Sequence, residues 1–200
     1  MSHRKALNHL RTVDPVMASV IKAVGPCRFE PNAEHSHFYH LVRAIVGQQL
    51  STTAARTIHG RFVALFDSPL APDAVARMED QRLRAAGLSG AKTAYIKDLA
   101  ARVHADELPL DRVESMTDEE IIEALTQVKG IGVWSAQMFL MFRLGRPDVL
   151  PALDLGIQKG VQRAYHLRKL PKPKRVSAIG RKWTPYSTIA SWYLWRSLEL

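Results

Sequence analysis

Two glycines separated by one residue stand between two apolar-patterned segments, and their backbone amides are the first candidates for chemistry. Gly130 and Gly132 permit backbone angles that a side chain would forbid, and with Val133 they expose amide N–H groups at the start of a helix. Such amides suit a phosphate group. A G-x-G turn between helices is also common as a purely structural connection, and the pattern alone leaves both interpretations open.

Asp154, which lies 22 residues after Gly132, is the second residue that can do chemistry. The apolar spacing of residues 153–164 predicts a helix that begins at Asp154, so its carboxylate is expected to cap that helix. A carboxylate can also stabilise positive charge that develops on a reacting group. Taken alone, the residue favours the capping role.

The elements that position these residues are predicted to be helices. Thr117 and Glu120 form a capping box for a helix that Gly130 ends, and a second helix runs from the hairpin to about Leu144. Its residues are apolar nearly all round, which predicts a buried helix. No stretch shows sustained alternation of apolar and polar residues, so the chain is predicted to be all-α. Residues 1–12 are polar and basic and are expected to be frayed at their start.

The composition narrows the possible functions. The formal charge is +9, from 28 basic and 19 acidic residues, and it fits a polyanionic partner. A single cysteine, Cys27, excludes internal disulfides. His35, His37 and His40 could ligate a metal, but no cysteine or carboxylate cluster accompanies them. No apolar run approaches the ~20 residues of a membrane helix, and the start of the sequence lacks the long apolar core of a signal peptide, so we expect an intracellular protein. The expected location is the cytoplasm or nucleoid of a bacterium rather than a nucleus.

Residues 117–154 resemble the helix-hairpin-helix element of the Gly-Pro-Asp DNA glycosylase superfamily. Within the superfamily, residues 130–136 and 150–157 look most like the 3-methyladenine DNA glycosylase II branch, in a short form without the N-terminal sheet domain. The resemblance covers roughly residues 36–200. It implies a single glycosylase unit with a cleft between two all-α lobes. One lobe, at about 37–146, contains the hairpin, and the other combines residues 1–36 with 147–200.

The resemblance also assigns roles to individual residues. It implies that the hairpin grips DNA phosphate, that Asp154 is the catalytic aspartate and that Gln49 and Leu50 form a wedge that fills the gap left by a flipped nucleotide. The DNA-binding set is Lys129, Gly130, Gly132, Val133 and Ser135. The substrate pocket is Trp134, Trp192, Met138 and Leu155. The backbone carbonyls of Thr126, Val128 and Ile131 are implied to hold a monovalent Na+ or K+ ion, with no other cofactor required.

The sequence departs from the resembled pattern at several positions. Lys129 stands where proline is usual, and Ser187 stands where arginine is usual. Met138 and Leu155 occupy positions where some members have tyrosine. These departures bear on the substrate range more than on the type of reaction.

The implied reaction is hydrolysis of the bond between an alkylated purine and deoxyribose in double-stranded DNA, by a monomer. Its transition state has oxocarbenium character, which a nearby carboxylate stabilises. A base such as 3-methyladenine or 7-methylguanine already carries positive charge, so one aspartate suffices. Trp134 occupies the position at which a lysine would form a Schiff base, which predicts a monofunctional enzyme that leaves an abasic site. The alternatives are a non-catalytic DNA-binding or lesion-sensing module, and a lyase that uses Lys129.

Overall fold

The computed structural model describes residues 3–67 and 69–200, and within these ranges all regular structure is helical. The predictions that fall on Met1, Ser2 and Ser68 lie outside the described residues. The helices are α1 (Arg4–Val13), α2 (Pro15–Val24), α3 (His37–Gly47), α4 (Thr52–Val63), α5 (Pro72–Arg77), α6 (Asp80–Ala85), α7 (Gly90–His104), α8 (Asp118–Thr126), α9 (Val133–Phe142), α10 (Leu155–Ala164), α11 (Pro173–Gly180) and α12 (Ser187–Ser197), with short 3-10 helices at Val113–Ser115 and Arg181–Trp183. The all-α prediction is confirmed. No helix in the described ranges combines the length and the apolar content that crossing a membrane would need.

Of the segment 1–12, the described part is helical from Arg4 onward, and its helix α1 buries Ala6 and Leu10. The expected fraying at the very start stays a prediction, because Met1 and Ser2 lie outside the described residues. The expectation that the helix after the hairpin is buried nearly all round is wrong. The helix after the hairpin ends at Phe142 rather than near Leu144, and it is not buried on all sides, since Trp134 is 46% exposed.

The chain divides into two compact units. The central unit is Ala33–Phe139 and contains α3 to α8 with the first part of α9. The terminal unit combines the chain up to Asn32 with Leu140–Leu200, and it contains α1, α2, α10, α11 and α12. The lobe bounds inferred from sequence, 37–146 against the two ends, stay a prediction.

The central unit is built around α7, which packs against α3, α5 and α6. Side-chain caps start its helices: Ser36 on α3, Ser51 on α4 and Ser89 on α7 each accept an amide of the first turn. The predicted capping box of Thr117 and Glu120 is present on α8. Because these ends are fixed locally, the apolar faces are presented to one core, whose most buried members include Phe62, Val75, Leu83, Ile96, Leu99, Ile121 and Leu125.

The terminal unit packs α12 against α10 and α2. Its core contains a fully buried carboxylate, Asp14, which caps α2 through the amides of Val16 and Met17. The other oxygen of Asp14 accepts hydrogen bonds from the hydroxyl of Tyr165 and from Trp183 Nε1 (2.8 Å). Burial alone would raise the pKa of Asp14, but these hydrogen bonds and that from Lys182 hold it below its usual value. The start of the chain is thereby tied to the end of α10.

His59 is a buried titratable group in the central unit. It is 6% exposed, and the ring of Tyr39 lies perpendicular to it at 4.8 Å. Among the described residues, no group forms a hydrogen bond with its Nε2 atom. Burial, followed by the positive charges of Arg43, His35 and His40, lowers the pKa of His59 to about 4.

We predict that His59 makes the free energy of unfolding depend on pH. Between about pH 6.5 and pH 4 the unfolded chain takes up a proton at this histidine and the folded chain does not, so stability falls as the pH falls. The loss amounts to about 3 kcal/mol for a shift of this size. Urea unfolding followed by circular dichroism at a series of pH values should show this loss in the wild type and a shallower one in His59→Phe. Parallel pH profiles for the two proteins would contradict the prediction.

Candidate functional site

The hairpin between α8 and α9 depends on two glycines for different reasons. Gly130 has φ +79°, and a Cβ atom there would lie 2.2 Å from the ring of Tyr95. Gly130 is therefore required for folding of the turn. A Cβ atom at Gly132 would meet nothing within 4 Å, so this position is open space above the start of α9. An open glycine at a helix N-terminus leaves room for an anion to approach the backbone.

An aspartate on α7 anchors the hairpin. The carboxylate of Asp98 accepts the backbone N–H of Lys129 at 2.9 Å and Nε of Arg102 at 3.1 Å. Burial would raise the pKa of Asp98, but the Lys129 amide and Arg102 outweigh it and lower the pKa. A proline at position 129 has no N–H to donate. The departure from the usual proline therefore coincides with an anchor that proline cannot form.

The other predicted hairpin residues lie, as expected, in the loop between α8 and α9 and in the first helical turn of α9. Val128 and Ile131 are buried, whereas Val133 is 42% exposed and Ser135 is half-buried. The carbonyl of Val128 accepts the Ile131 amide at 3.1 Å, which leaves one of its two lone pairs. Neutral carbonyl oxygens such as those of Thr126, Val128 and Ile131 are ligands that suit a hard monovalent cation, so the donor chemistry fits the predicted ion.

The predicted wedge lies on a short loop of the central unit. Gln49 has φ +57°, a left-handed conformation that non-glycine residues rarely adopt, and Leu50 is 38% exposed. The ammonium of Lys92 donates to the carbonyls of Val46 and Gln48, both at 2.7 Å. Backbone strain at an exposed, well-braced loop tip is a common feature of functional sites.

The same loop is tied to the hairpin. The side-chain amide of Gln48 donates to the carbonyl of Gly130 at 2.7 Å. Burial lowers the pKa of Lys92, whose ammonium is directed at the loop's backbone. The ammonium of Lys97 donates in the same way to the backbone carbonyls of Ala76 and Met78. The central unit therefore holds wedge and hairpin as one braced surface.

Asp154 caps α10 in the terminal unit, as predicted. Its Oδ1 atom accepts the amide of Ile157 and the indole Nε1–H of Trp195, each at 2.8 Å. A Cβ atom at Gly156 would lie 2.9 Å from Oδ1 and 2.8 Å from the Trp195 ring. Only glycine at position 156 leaves space for this contact. Two donors on one oxygen fix the plane of the carboxylate, which is partly exposed.

Two aromatic rings lie in the same unit as this carboxylate. Phe142 is 39% exposed, and its ring stacks on Trp195 with centroids 5.8 Å apart and planes inclined by 28°. Phe29 supports Phe142 from another side at 5.6 Å. The predicted pocket tryptophan Trp192 is half-buried and packs perpendicular to Tyr193 at 4.9 Å. Trp195, three residues later, is the tryptophan that contacts Asp154.

The structure brings the predicted residues together in two sets. Asp154 and Leu155, which is 53% exposed, are adjacent in the terminal unit, which also holds Trp192. Trp134 and Met138 lie one turn apart on the part of α9 that belongs to the central unit, with the hairpin and the wedge. Sequence reasoning missed Phe142, Gly156 and Trp195. The only signals in the sequence were an aromatic residue at the end of α9, Phe142, and a second tryptophan close to Trp192, Trp195.

Comparisons with known proteins show which family the chain belongs to. Residues 42–186 match the family described as HhH-GPD superfamily base excision DNA repair protein. The alkylbase DNA glycosidase-like protein mag2 of Schizosaccharomyces pombe is 31% identical over 202 residues, which cover 99% of this chain and 95% of that protein. DNA-3-methyladenine glycosylase 1 of the same organism is 35% identical over 200 residues, covering 98% and 88%.

A solved structure extends the similarity to the fold. The 3-methyladenine DNA glycosylase Mag1 of Schizosaccharomyces pombe, in complex with abasic DNA, superposes with a TM-score of 0.84 and 34% identity. The match covers 98% of this chain and 97% of that one. The family match spans more than half of the chain, and the similarity extends over nearly all of it. The chain therefore belongs to the HhH-GPD superfamily of base excision DNA repair proteins.

Proposed function

We propose that this protein is a monofunctional DNA glycosylase of the 3-methyladenine glycosylase II type. It hydrolyses the N-glycosidic bond of alkylated purines in double-stranded DNA and leaves an abasic site. The observation that carries the proposal is the partly exposed Asp154 carboxylate, oriented by Ile157 and Trp195 beside the Phe142 ring. The names of the relatives and the abasic DNA bound by the solved neighbour support it.

Asp154 stabilises the reacting sugar. As the bond between C1′ and the base nitrogen breaks, the electron pair leaves with the base and positive charge develops on the sugar. The carboxylate, whose Oδ1 is held by Ile157 and Trp195, is fixed in place to face this charge without reorganisation. A water oxygen then bonds to C1′ and loses a proton. An N-alkylated purine becomes neutral on leaving, so no second acid is required.

Electron-rich rings favour a cationic base over a neutral one. Phe142 and Trp195 form a stacked pair next to Asp154, and Trp134 offers a ring that is 46% exposed. Each ring that faces the cation contributes roughly 0.5–2 kcal/mol by cation–π attraction. We therefore propose that Phe142 and Trp195, together with the predicted Trp192 and Leu155, are the terminal unit's contribution to binding the cationic base.

The central unit holds the DNA. The amides of Gly130, Gly132 and Val133 face a phosphate, and Gln49 with Leu50 fills the space that the flipped nucleotide leaves. A Na+ or K+ ion on the carbonyls of Thr126, Val128 and Ile131 would place positive charge beside that phosphate when bound. The protein acts as a monomer, because one chain carries both the hairpin and the carboxylate.

The decisive test replaces Asp154 with asparagine. Asparagine caps a helix about as well as aspartate, and its amide oxygen can still accept from Trp195, so the free energy of unfolding should change by less than about 0.5 kcal/mol. Without the negative charge, release of methylated purines should slow by about 10²-fold or more while DNA binding survives. Single-turnover base release, with free bases identified by chromatography, measures this.

The matched control for this test is Asp111→Asn, which neutralises a carboxylate whose side chain is 77% exposed and should leave base release unchanged. If Asp154→Asn folds, binds DNA and excises at the wild-type rate, Asp154 is only a helix cap. The non-catalytic DNA-binding alternative would then be the better description.

The two hairpin glycines should separate folding from DNA binding. Gly130→Ala forces a Cβ atom toward the Tyr95 ring at positive φ, so we expect a loss of about 1–3 kcal/mol of stability. Gly132→Leu places its side chain in open space and should fold normally. It should weaken binding to damaged and undamaged duplexes alike, by at least about tenfold, because phosphate contacts carry no base information. Unfolding curves and fluorescence anisotropy give the two readouts, and a loss restricted to one lesion would contradict this role.

The absence of a Schiff-base lysine predicts a clean abasic product. Trp134 occupies the critical position, and the ammonium of Lys129 lies 3.8 Å from Asp98 Oδ1. Incubation with damaged DNA and borohydride should therefore trap no covalent adduct, and strand breaks should appear only after alkali. An adduct that forms with the wild type and disappears in Lys129→Ala would establish the lyase alternative instead.

A further inference from the structure

The excess positive charge of the chain lies in the terminal unit and not in the central unit, which carries the hairpin. The terminal unit has 17 Lys and Arg residues against 5 Asp and Glu, a formal charge of +12. The central unit, which carries the hairpin and the wedge, has 11 against 14, a formal charge of −3. The net +9 is the sum of these two values. Long-range attraction of a polyanion therefore originates in the terminal unit.

Within that unit, the charge is concentrated after the catalytic carboxylate. Residues 155–198 contain ten Lys and Arg residues and no Asp or Glu. Three of the ten have structural partners: Lys182 pairs with the buried Asp14, Arg196 pairs with Glu199 and Arg163 donates to the carbonyl of Ser197. These three contacts belong to the fold itself.

Five others line a groove formed by the loop after α10 and the first turns of α11. The groove has a volume of about 700 Å³, and its lining also includes the apolar residues Leu167, Leu170 and Pro171. Neither Asp154 nor any hairpin residue lines it. The five cations are all exposed, and in the part of the chain that the structure describes none of them forms an ion pair with a carboxylate: Arg168, Lys169, Lys172, Lys174 and Arg175.

Five like charges within eight residues repel one another, and no carboxylate within 3–67 or 69–200 pairs with them to offset that repulsion. Pro171 and Pro173 stiffen the segment that carries them, so it cannot disperse the charges freely. An extended polyanion would satisfy several of these cations at once. Duplex DNA, on which this protein family acts, is such a polyanion and carries a negative charge every ~1.7 Å along its axis.

We propose that this groove, residues 167–178, binds the sugar-phosphate backbone of duplex DNA as a second contact surface whose residues are all different from those of the hairpin. The proposal rests on the proposed function for its choice of DNA as the polyanion. The phosphates come either from a flanking segment of the duplex held by the hairpin or from a separate duplex. Each phosphate neutralised contributes about 0.9 to the steepness with which the logarithm of the DNA-binding constant falls against the logarithm of the salt concentration. With its five cations, the groove supplies most of this salt dependence.

The test neutralises the groove and compares it with a matched control. One variant changes all five groove cations to glutamine. The control changes five exposed arginines of the central unit, none of them in an ion pair with a carboxylate among the described residues, to glutamine: Arg56, Arg61, Arg77, Arg82 and Arg84. Both variants lose the same formal charge. Fluorescence anisotropy with undamaged duplex at a series of salt concentrations gives the slope for each protein.

We expect the groove variant to reduce the slope by about 3 or more and to bind at least about tenfold more weakly at low salt. The control should keep most of the wild-type slope and most of the wild-type affinity. With a duplex of about one helical turn, about 10 base pairs, the deficit should vanish if the groove holds a flanking segment. If it holds a separate duplex, the wild type should bring two differently labelled duplexes within energy-transfer distance and the groove variant should not.

Equal slopes for the groove variant and the control would overturn the proposal. So would an unchanged DNA slope accompanied by loss of binding to a polyglutamate peptide, which would assign the groove to an acidic protein segment. Base release at saturating protein separates this failure from failure of the proposed function. The groove variant should then excise at the wild-type rate, whereas a wild type that releases no base contradicts the glycosylase proposal and leaves the slope measurement valid.

Discussion

The candidate site depends on one carboxylate oxygen that joins two helices of the terminal unit. Asp154 Oδ1 accepts both the first-turn amide of α10 and the indole N–H of Trp195 on α12, so it joins two helices at the point where chemistry is proposed. Gly156 must lack a side chain for this contact to form, and Gly160 must lack one for α10 to approach Leu194. The orientation of the carboxylate is therefore a consequence of helix packing.

In the central unit, hydrogen bonds to the backbone hold the hairpin and the wedge loop, as the Asp154 carboxylate holds α10 and α12 in the terminal unit. Its hairpin and wedge loop contain conformations that are costly in isolation, a positive φ at Gly130 and another at Gln49. Each is braced by a hydrogen bond with a distant residue: Asp98 accepts the Lys129 amide at the hairpin, and Lys92 donates to the Gln48 carbonyl at the loop. Bracing of this kind holds amides and side chains ready for a ligand before it arrives, which lowers the entropy lost on binding.

Local patterns in the sequence predicted the local features well. The capping box at Thr117, the cap at Asp154 and the turn at Gly130 depend on residues within a few positions of one another, so their geometry follows from the sequence alone. Trp195 could not be chosen over Trp192 in this way. The two lie three residues apart on α12, and only the packing of α12 against α10 decides which indole reaches the carboxylate. The anchor between Asp98 and Lys129 joins positions 31 residues apart and left no pattern to read.

The total charge also gave no indication of how charge is divided between the two units. A value of +9 fits a DNA-binding protein, yet it does not reveal that the hairpin belongs to a unit of −3 and the carboxylate to one of +12. We propose that the positively charged surroundings attract DNA to Asp154 and that the hairpin, in a unit of opposite sign, holds a phosphate by the directed hydrogen bonds of its amides. On this proposal, attraction over distance and positioning at contact are separate physical tasks, and different residues perform them.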